Sequence, residues 1–320
     1  MEIQKNDRQV ADQAVIRWLL DSDPAIRWQV MRDLVGAPAE LVAGERARVA
    51  VEGWGAELLD RQRPDGQWGD DTEFPLWTST LHTMVLLQNL GLDPTGERAR
   101  AAVGRVRDQV IWGPEFWDSP FFEGEVEPCI NGAVLALGSY FGEISEQLVD
   151  RLLGEQLEDG GWNCEAEEGS VRSSFHTTIR VLEGLLAYEQ AKGATVAVTD
   201  ARARAHDYML ERRMFRRLST GEVIDPEWTW FHFPTTWHYD VLRGLDYLRG
   251  AGVHPDERVD EAISLLTQRR LPDGRWSRGT PYPDPVQLEM EGEAGLPSHW
   301  ITLQALRVLD WYAAHRPDPG

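Results

Sequence analysis

The stretch QRPDGQW, Gln62 to Trp68, has two near copies further along the chain. These are QLEDGGW, Gln156 to Trp162, and RLPDGRW, Arg270 to Trp276. Each copy has a polar first residue, an Asp-Gly pair that favours a tight turn, and a final tryptophan. Glutamine, glycine and tryptophan supply neither a nucleophile nor an acid. The pattern therefore predicts a structural turn that fastens helices together and leaves the chemistry to be found elsewhere.

Apolar helical runs recur at regular intervals around these turns. His82, Cys129 and His176 are 47 residues apart, and each begins such a run. Two later runs begin at His238 and His299, after steps of 62 and 61 residues that indicate longer loops. Equal spacing combined with similar sequence indicates a repeat architecture.

More charged amphipathic segments alternate with the apolar runs. We predict helices over Ala43–Gln62, Gly96–Ile111, Ile144–Gln156, Thr199–Arg213 and Asp256–Gln268. Near the N-terminus, Asp23 as N-cap and Pro24 at the first helical position separate two more helices. Six sequential helix pairs predict an all-α fold, an (α/α)6 toroid with nearly charge-free inner helices and a central cavity. We predict one domain over residues 1–320, with the first helix pair in 1–40 and the repeat pairs in 43–315.

Charge and composition exclude several classes of partner. Asp plus Glu exceed Lys plus Arg by 53 − 32, giving a net charge of −21 that disfavours nucleic acid. No apolar run approaches about 18 residues, so we expect no integral membrane segment. The N-terminus lacks a signal-peptide pattern, which favours a cytoplasmic location. Cys129 and Cys164 then form no disulfide framework, and each is either a core residue or a chemical one.

The motif Gln-x-x-x-Gly-x-Trp resembles the repeat of the squalene cyclase and protein prenyltransferase superfamily, over about Trp54 to Trp311. The third copy departs from it, with Arg270 in place of glutamine. The resemblance implies a toroid around a hydrophobic cavity and an enzyme that acts on a hydrophobic, isoprenoid-type small molecule. It does not indicate the reaction, because fold does not determine function.

The resemblance also implies a metal site. Catalytic subunits of protein prenyltransferases bind zinc with Asp-x-Cys at one inner helix start and a His at the next, and Glu127-x-Cys129 and the His176 context FHTT are similar to these. The implied Zn²⁺ ligands are Glu127, Cys129 and His176, which leave one position open, as in catalytic zinc sites. His82 or His238 is an alternative ligand to Glu127. The catalytic candidates are Glu127, Cys129, His176 and His238.

Long connections from outer to inner helices are expected to surround the mouth of the cavity. Two of them, Trp112–Phe122 and Glu227–Trp237, are rich in aromatic residues, which suits an apolar ligand or packing of the loops onto the rim. The predicted cavity residues are His82, Trp77, Trp117, Phe121, Trp230, Trp237, Asp240 and His299.

Comparison with the cyclases gives a different chemistry. Squalene–hopene cyclases carry Asp-x-Asp-Asp, which this chain lacks. Oxidosqualene cyclases keep a protonating Asp directly before a Cys, and the residue before Cys129 here is Pro128. Glu127 is the acid candidate if burial raises its pKa. The acids of GDDTEF (Asp70, Asp71 and Glu73) are interpreted as a helix cap or as solvated residues.

Two other functions remain open. A glycoside-active (α/α)6 barrel requires two carboxylates across a cleft. The candidates near the rim are Asp118, Glu123, Glu125, Asp225, Glu227 and Asp240. The other alternative is a non-catalytic toroid that binds a lipid or a protein. The acidic run Glu165–Glu168 is expected to be a solvated loop.

Overall fold

The computed structural model describes residues 13–69, 72, 78–280 and 286–315. Within them the regular structure is helical, which confirms the all-α prediction, and β-pairing is confined to isolated bridges between loop residues. No helix in these ranges is both long and apolar enough to cross a membrane. The helices are α1 (13–20), α2 (Pro24–Val30), α3 (Ala39–Arg48), α4 (Gly53–Asp60), α5 (Thr80–Leu90), α6 (Glu97–Gln109), α7 (Pro128–Phe141), α8 (Glu146–Gly154), α9 (Phe175–Lys192), α10 (Val196–Glu211), α11 (Val241–Gly250), α12 (Asp260–Gln268) and α13 (His299–His315).

Inner and outer helices alternate along the chain and form a closed ring. Side chains of α2, α5, α7, α9, α11 and α13 line a central channel, so these six helices are the inner layer. The last inner helix closes on the first: Arg307 of α13 donates a hydrogen bond to Gln29 of α2 over 2.8 Å and pairs with Asp33 just beyond α2. The predicted (α/α)6 toroid is confirmed by this closure.

The three Asp-Gly turns make equivalent contacts. Trp68, Trp162 and Trp276 are fully buried, and each indole N–H donates to a carbonyl of the preceding outer helix, at 2.7, 2.7 and 2.8 Å. The amides of Gln62 and Gln156 donate both to a carbonyl in their own turn and to one on the next outer helix. The first two turns therefore hold neighbouring helix pairs together, and Arg270 of the third donates to Gly274 O in its own turn.

The predicted helix over Ala43–Gln62 is wrong, because the segment is broken. α3 ends at Arg48, and α4 begins at Gly53, whose φ of +64° lies in the left-handed region. The carboxylate of Asp23 accepts the backbone N–H of Trp54 over 2.9 Å, so the start of α4 is bound to the N-terminus of α2.

The expectation of nearly charge-free inner helices is also wrong. Arg180, Glu183, Arg243, Asp246 and Arg307 all belong to inner helices and line the central channel. Apolar side chains pack between the inner and outer helices, and these charged groups face the centre of the ring beside apolar ones.

Candidate functional site

A cavity of about 470 Å³, here called the rim cavity, opens where the inner helices begin. The first turns of α5, α7 and α9 contribute His82, Cys129 and His176 to its wall. The structure thus brings together the three positions that are 47 residues apart in the sequence. Glu127, Cys164 and Trp237 also line this cavity.

Cys129, Cys164 and Glu127 converge on one side of the rim cavity. Their two sulfur atoms and a carboxylate oxygen lie within 4.8 Å of one another, and the Cys129 thiol donates to Glu127 Oε2 over 3.4 Å. A hydrogen bond with Cys164, followed by burial, raises the pKa of Cys129 well above its usual value. The thiol is therefore protonated at neutral pH, and it becomes a thiolate only when a cation compensates the charge.

Cys164 was not among the predicted site residues. It follows Trp162 by two positions, begins a short 3-10 turn, and places its sulfur 3.5 Å from Thr177 Oγ1 on α9. Because the buried tryptophan fixes the chain at the rim, the second residue after it must lie beside the start of the next inner helix. Its offset of two residues from the repeat tryptophan is the feature of the sequence that could have predicted Cys164 as a site residue. Glu165 is exposed, as expected of the acidic run, but it also borders the rim cavity.

His176 accepts a hydrogen bond that disfavours its predicted role as a metal ligand. The backbone N–H of Tyr239 donates to Nδ1 of His176 over 2.8 Å. Burial, assisted by the charge of Arg243, lowers the pKa of His176 to about 4, so the ring is neutral at pH 7. The accepting Nδ1 carries no proton, and the proton of the neutral ring is therefore on Nε2. A metal-ligating histidine has the reverse arrangement, with its second nitrogen donating.

His82 and His238 are also neutral at pH 7. Burial lowers the pKa of each to about 3, and Nδ1 of His82 lies 3.0 Å from Ser79 Oγ. His238 stacks on Trp237 with ring centroids 3.8 Å apart, but it does not line the rim cavity. It contacts two residues of the wall, Trp237 and His176, and its catalytic role stays a prediction.

Most of the aromatic residues predicted to line the cavity lie elsewhere. Trp117 is 81 % exposed, and Trp230 is on the surface with an arginine guanidinium 3.5 Å above its ring. Phe121 is fully buried in the core. Trp77 lies outside the described residues. Of those aromatic residues that the structure describes, only Trp237 lines the rim cavity, because loop composition does not fix which way each ring points.

His299 and Asp240 also have structural roles. His299 stacks on Trp18 with centroids 3.8 Å apart and does not line the rim cavity. Asp240 caps α11, since its carboxylate accepts the backbone N–H groups of Arg243 and His232. Burial raises the pKa of Asp240 to about 6.

The carboxylates offer neither the predicted acid nor a glycosidase pair. Glu127 is exposed, so the premise that burial makes it an acid fails. The buried carboxylate is Glu125, whose pKa burial raises to about 7 while it accepts backbone N–H groups of the next two residues. The residues of GDDTEF proposed as a cap lie outside the described ranges. None of the glycosidase candidates lines the rim cavity: Asp118, Glu123, Glu125, Asp225, Glu227 and Asp240.

Comparison with known proteins gives a likeness of fold. No protein-family profile and no curated protein sequence matches the chain. Among solved structures, the chain is similar to the apo form of the type II terpene cyclase MstE from Scytonema, at 19 % identity and a TM-score of 0.47, over 97 % of this chain and 99 % of that one. A variant of MstE in complex with its substrate, geranylgeranyl dihydroxybenzoate, is similar at 17 % identity and a TM-score of 0.44, over 98 % of this chain and 99 % of the other.

Proposed function

We propose that the chain is an enzyme that acts on a hydrophobic, isoprenoid-type small molecule in the rim cavity, beside a Zn²⁺ held by Cys129, Cys164 and Glu127. The observation that carries the proposal is the convergence of these three side chains, within 4.8 Å, on the wall of a cavity. Two thiols and a carboxylate are ligands that zinc prefers, and three protein ligands leave a fourth position open, as in catalytic sites.

Zn²⁺ bound there would supply a Lewis acid that polarises a group of the ligand. The chain itself supplies binding and orientation. His176 presents Nε2–H as a donor for an acceptor on the ligand, because Tyr239 occupies Nδ1. Trp237 and Ile130 give apolar surface to the same cavity, and His82 is uncharged there at pH 7. These features suit a mainly apolar ligand with one polar group; its isoprenoid class rests on the resemblance of the turn motifs.

Metal analysis tests the first half of the proposal. Protein purified without chelator and without metal-affinity resin should contain about one Zn²⁺ per chain. Glu127→Gln and Cys164→Ser should lower the zinc content. The matched control is Glu165→Gln, which changes an exposed carboxylate of the same cavity outside the ligand set. Zinc near zero in the wild type, or equal loss in the control, contradicts the metal site.

Ligand binding tests the second half. Farnesol, an uncharged isoprenoid alcohol, should bind the wild type, and Trp237→Ala should weaken binding about tenfold or more because an aromatic wall is lost. Trp230→Ala, a surface change, is the control. If farnesol binds and no zinc is found, the chain is a lipid-binding toroid. If neither binds and loss of Cys129 alters only stability, it is a non-catalytic module for another partner.

A further inference from the structure

A second cavity of about 330 Å³, the central channel, lies between the inner helices and shares no lining residue with the rim cavity. All six inner helices contribute to its wall. The proposed metal chemistry uses none of its residues. Its charged lining residues are Arg180, Glu183, Arg243, Asp246 and Arg307.

Both carboxylate oxygens of Glu183 in this channel already accept hydrogen bonds. Arg243 donates from Nε and Nη2 to the two carboxylate oxygens of Glu183, at 2.8 and 2.6 Å. Arg180 lies three residues before Glu183 on α9 and approaches it only to 3.9 Å. Within the described ranges, the Arg180 guanidinium makes no shorter ionic contact and no hydrogen bond.

The other charged groups of the channel have their own partners. Arg307 pairs with Asp33, and Asp246 accepts from Arg249 over 2.7 Å. Arg180 is therefore the one charged lining residue without a counterion at hydrogen-bond distance among the described residues.

Arg180 is held deep in the ring by helix packing. Its side chain is only 5 % exposed, and its backbone touches α7 so closely that a Cβ at Gly132 would lie 2.7 Å from the Arg180 carbonyl oxygen. Burial lowers the pKa of Arg180 to about 10, which still leaves it protonated at pH 7. Glu183 compensates this charge only from 3.9 Å. A buried charge without a hydrogen-bonded partner is costly, so the guanidinium calls for one.

The surroundings of the channel contain further donors and an apolar wall. Nε of Arg307 and Nε1 of Trp300 are buried, and neither has an acceptor within the described part of the chain. Trp300 stacks on Phe233 with centroids 4.2 Å apart, and both residues line the channel. The channel thus combines a surplus of donors with an aromatic surface.

We propose that the central channel binds a small organic monoanion, whose carboxylate pairs with Arg180 and whose apolar part rests on Phe233 and Trp300. A guanidinium offers a planar fork that matches a carboxylate. One unpaired cation corresponds to one negative charge. Glu183 and Asp246 line the same channel and repel a more highly charged group. None of the proposed metal ligands at the rim lines this channel.

Calorimetric titration of the full chain with octanoate, octanol and inorganic diphosphate tests this proposal. Octanoate should bind roughly ten- to hundredfold more tightly than octanol, the range expected for a hydrogen bond to a charged group. Arg180→Met should abolish this preference and leave octanol binding unchanged, whereas Arg180→Lys should retain much of it. Diphosphate should bind more weakly than octanoate.

Thermal unfolding without ligand separates binding from a structural role. Because Arg180→Met removes an uncompensated buried charge, its Tm should equal or exceed that of the wild type. Octanoate should raise the Tm of the wild type and not that of Arg180→Met. The proposal is overturned if octanoate and octanol bind with equal affinity, or if diphosphate binds more tightly than octanoate. It is also overturned if Arg180→Met has a lower Tm than the wild type and keeps its preference for octanoate.

Discussion

The backbone N–H of Tyr239 donates a hydrogen bond to Nδ1 of His176 over 2.8 Å, and this bond decides which nitrogen of the neutral ring carries the proton. His176 lines the rim cavity, and Nε2–H is the donor that its neutral ring has to offer a ligand. From the sequence alone, His176 could bind either the metal or the small-molecule ligand. The hydrogen bond from Tyr239 favours binding of the ligand.

Replacement of His176 by leucine should therefore leave zinc affinity unchanged, because the ring offers no lone pair to the metal. Binding of a ligand with a polar acceptor should weaken, since a buried hydrogen bond is lost, at a cost of about 1 kcal/mol. Zinc competition with a chelating dye and titration with farnesol measure the two effects. His176→Gln is the control, since its amide can accept from Tyr239 and donate to the cavity. Loss of zinc in His176→Leu would instead show that His176 is a zinc ligand.

The Gln156 side chain should contribute measurably to stability. Its amide donates to Gly160 O and Ala201 O at 2.7 and 2.8 Å, so Gln156→Ala leaves two carbonyls without this donor. We expect a loss of about 1–3 kcal/mol in the free energy of unfolding, measured by urea denaturation. Glu158→Ala, an exposed change in the same turn, should have little effect. Equal effects of the two changes would contradict a fastening role for the turn.

Protonation of His82 should make stability depend on pH. Burial lowers the pKa of His82 from 6.5 to about 3 in the folded state. Between these values the unfolded chain binds a proton that the folded chain does not. The free energy of unfolding therefore rises with pH in this window, by up to about 1.4 kcal/mol per pH unit, and falls as the pH drops from 6.5 towards 3.

The effect of His82 is measured as a difference between variants, because Glu125 and Asp240, whose pKa values are raised, contribute slopes of opposite sign. His82→Gln should reduce the increase of unfolding free energy between pH 4 and 6.5. Met84→Leu, a buried change on the same helix with no titrating group, should shift the stability without altering the slope. An unchanged slope in His82→Gln would contradict a neutral buried ring.

Equal spacing predicted the parts of the molecule that repeat. Trp68 and Trp162 identify the turns, and the interval between His82, Cys129 and His176 places these residues at one rim, because each repeat folds in the same way. The same reasoning extends to Cys164, whose fixed offset from Trp162 brings it to the rim cavity.

Features that depend on packing could not be predicted in this way. Phe121 and Trp117 belong to one aromatic loop, yet the first is buried and the second exposed, because tertiary contacts orient the loop. The unpaired state of Arg180 depends on Arg243, which reaches Glu183 from a helix 60 residues away in sequence. No local pattern shows which of two arginines a carboxylate will bind.

Absorption spectra of the Co²⁺-substituted chain test whether Cys129 and Cys164 both bind the metal, since thiolate ligands give cobalt a near-ultraviolet charge-transfer band. We expect this band in the wild type, with roughly half its intensity in Cys129→Ser and in Cys164→Ser, because each change removes one of two thiolates. The band should persist in His176→Leu. A spectrum without a thiolate band, or a band insensitive to Cys164→Ser and lost in His176→Leu, would contradict the assigned site.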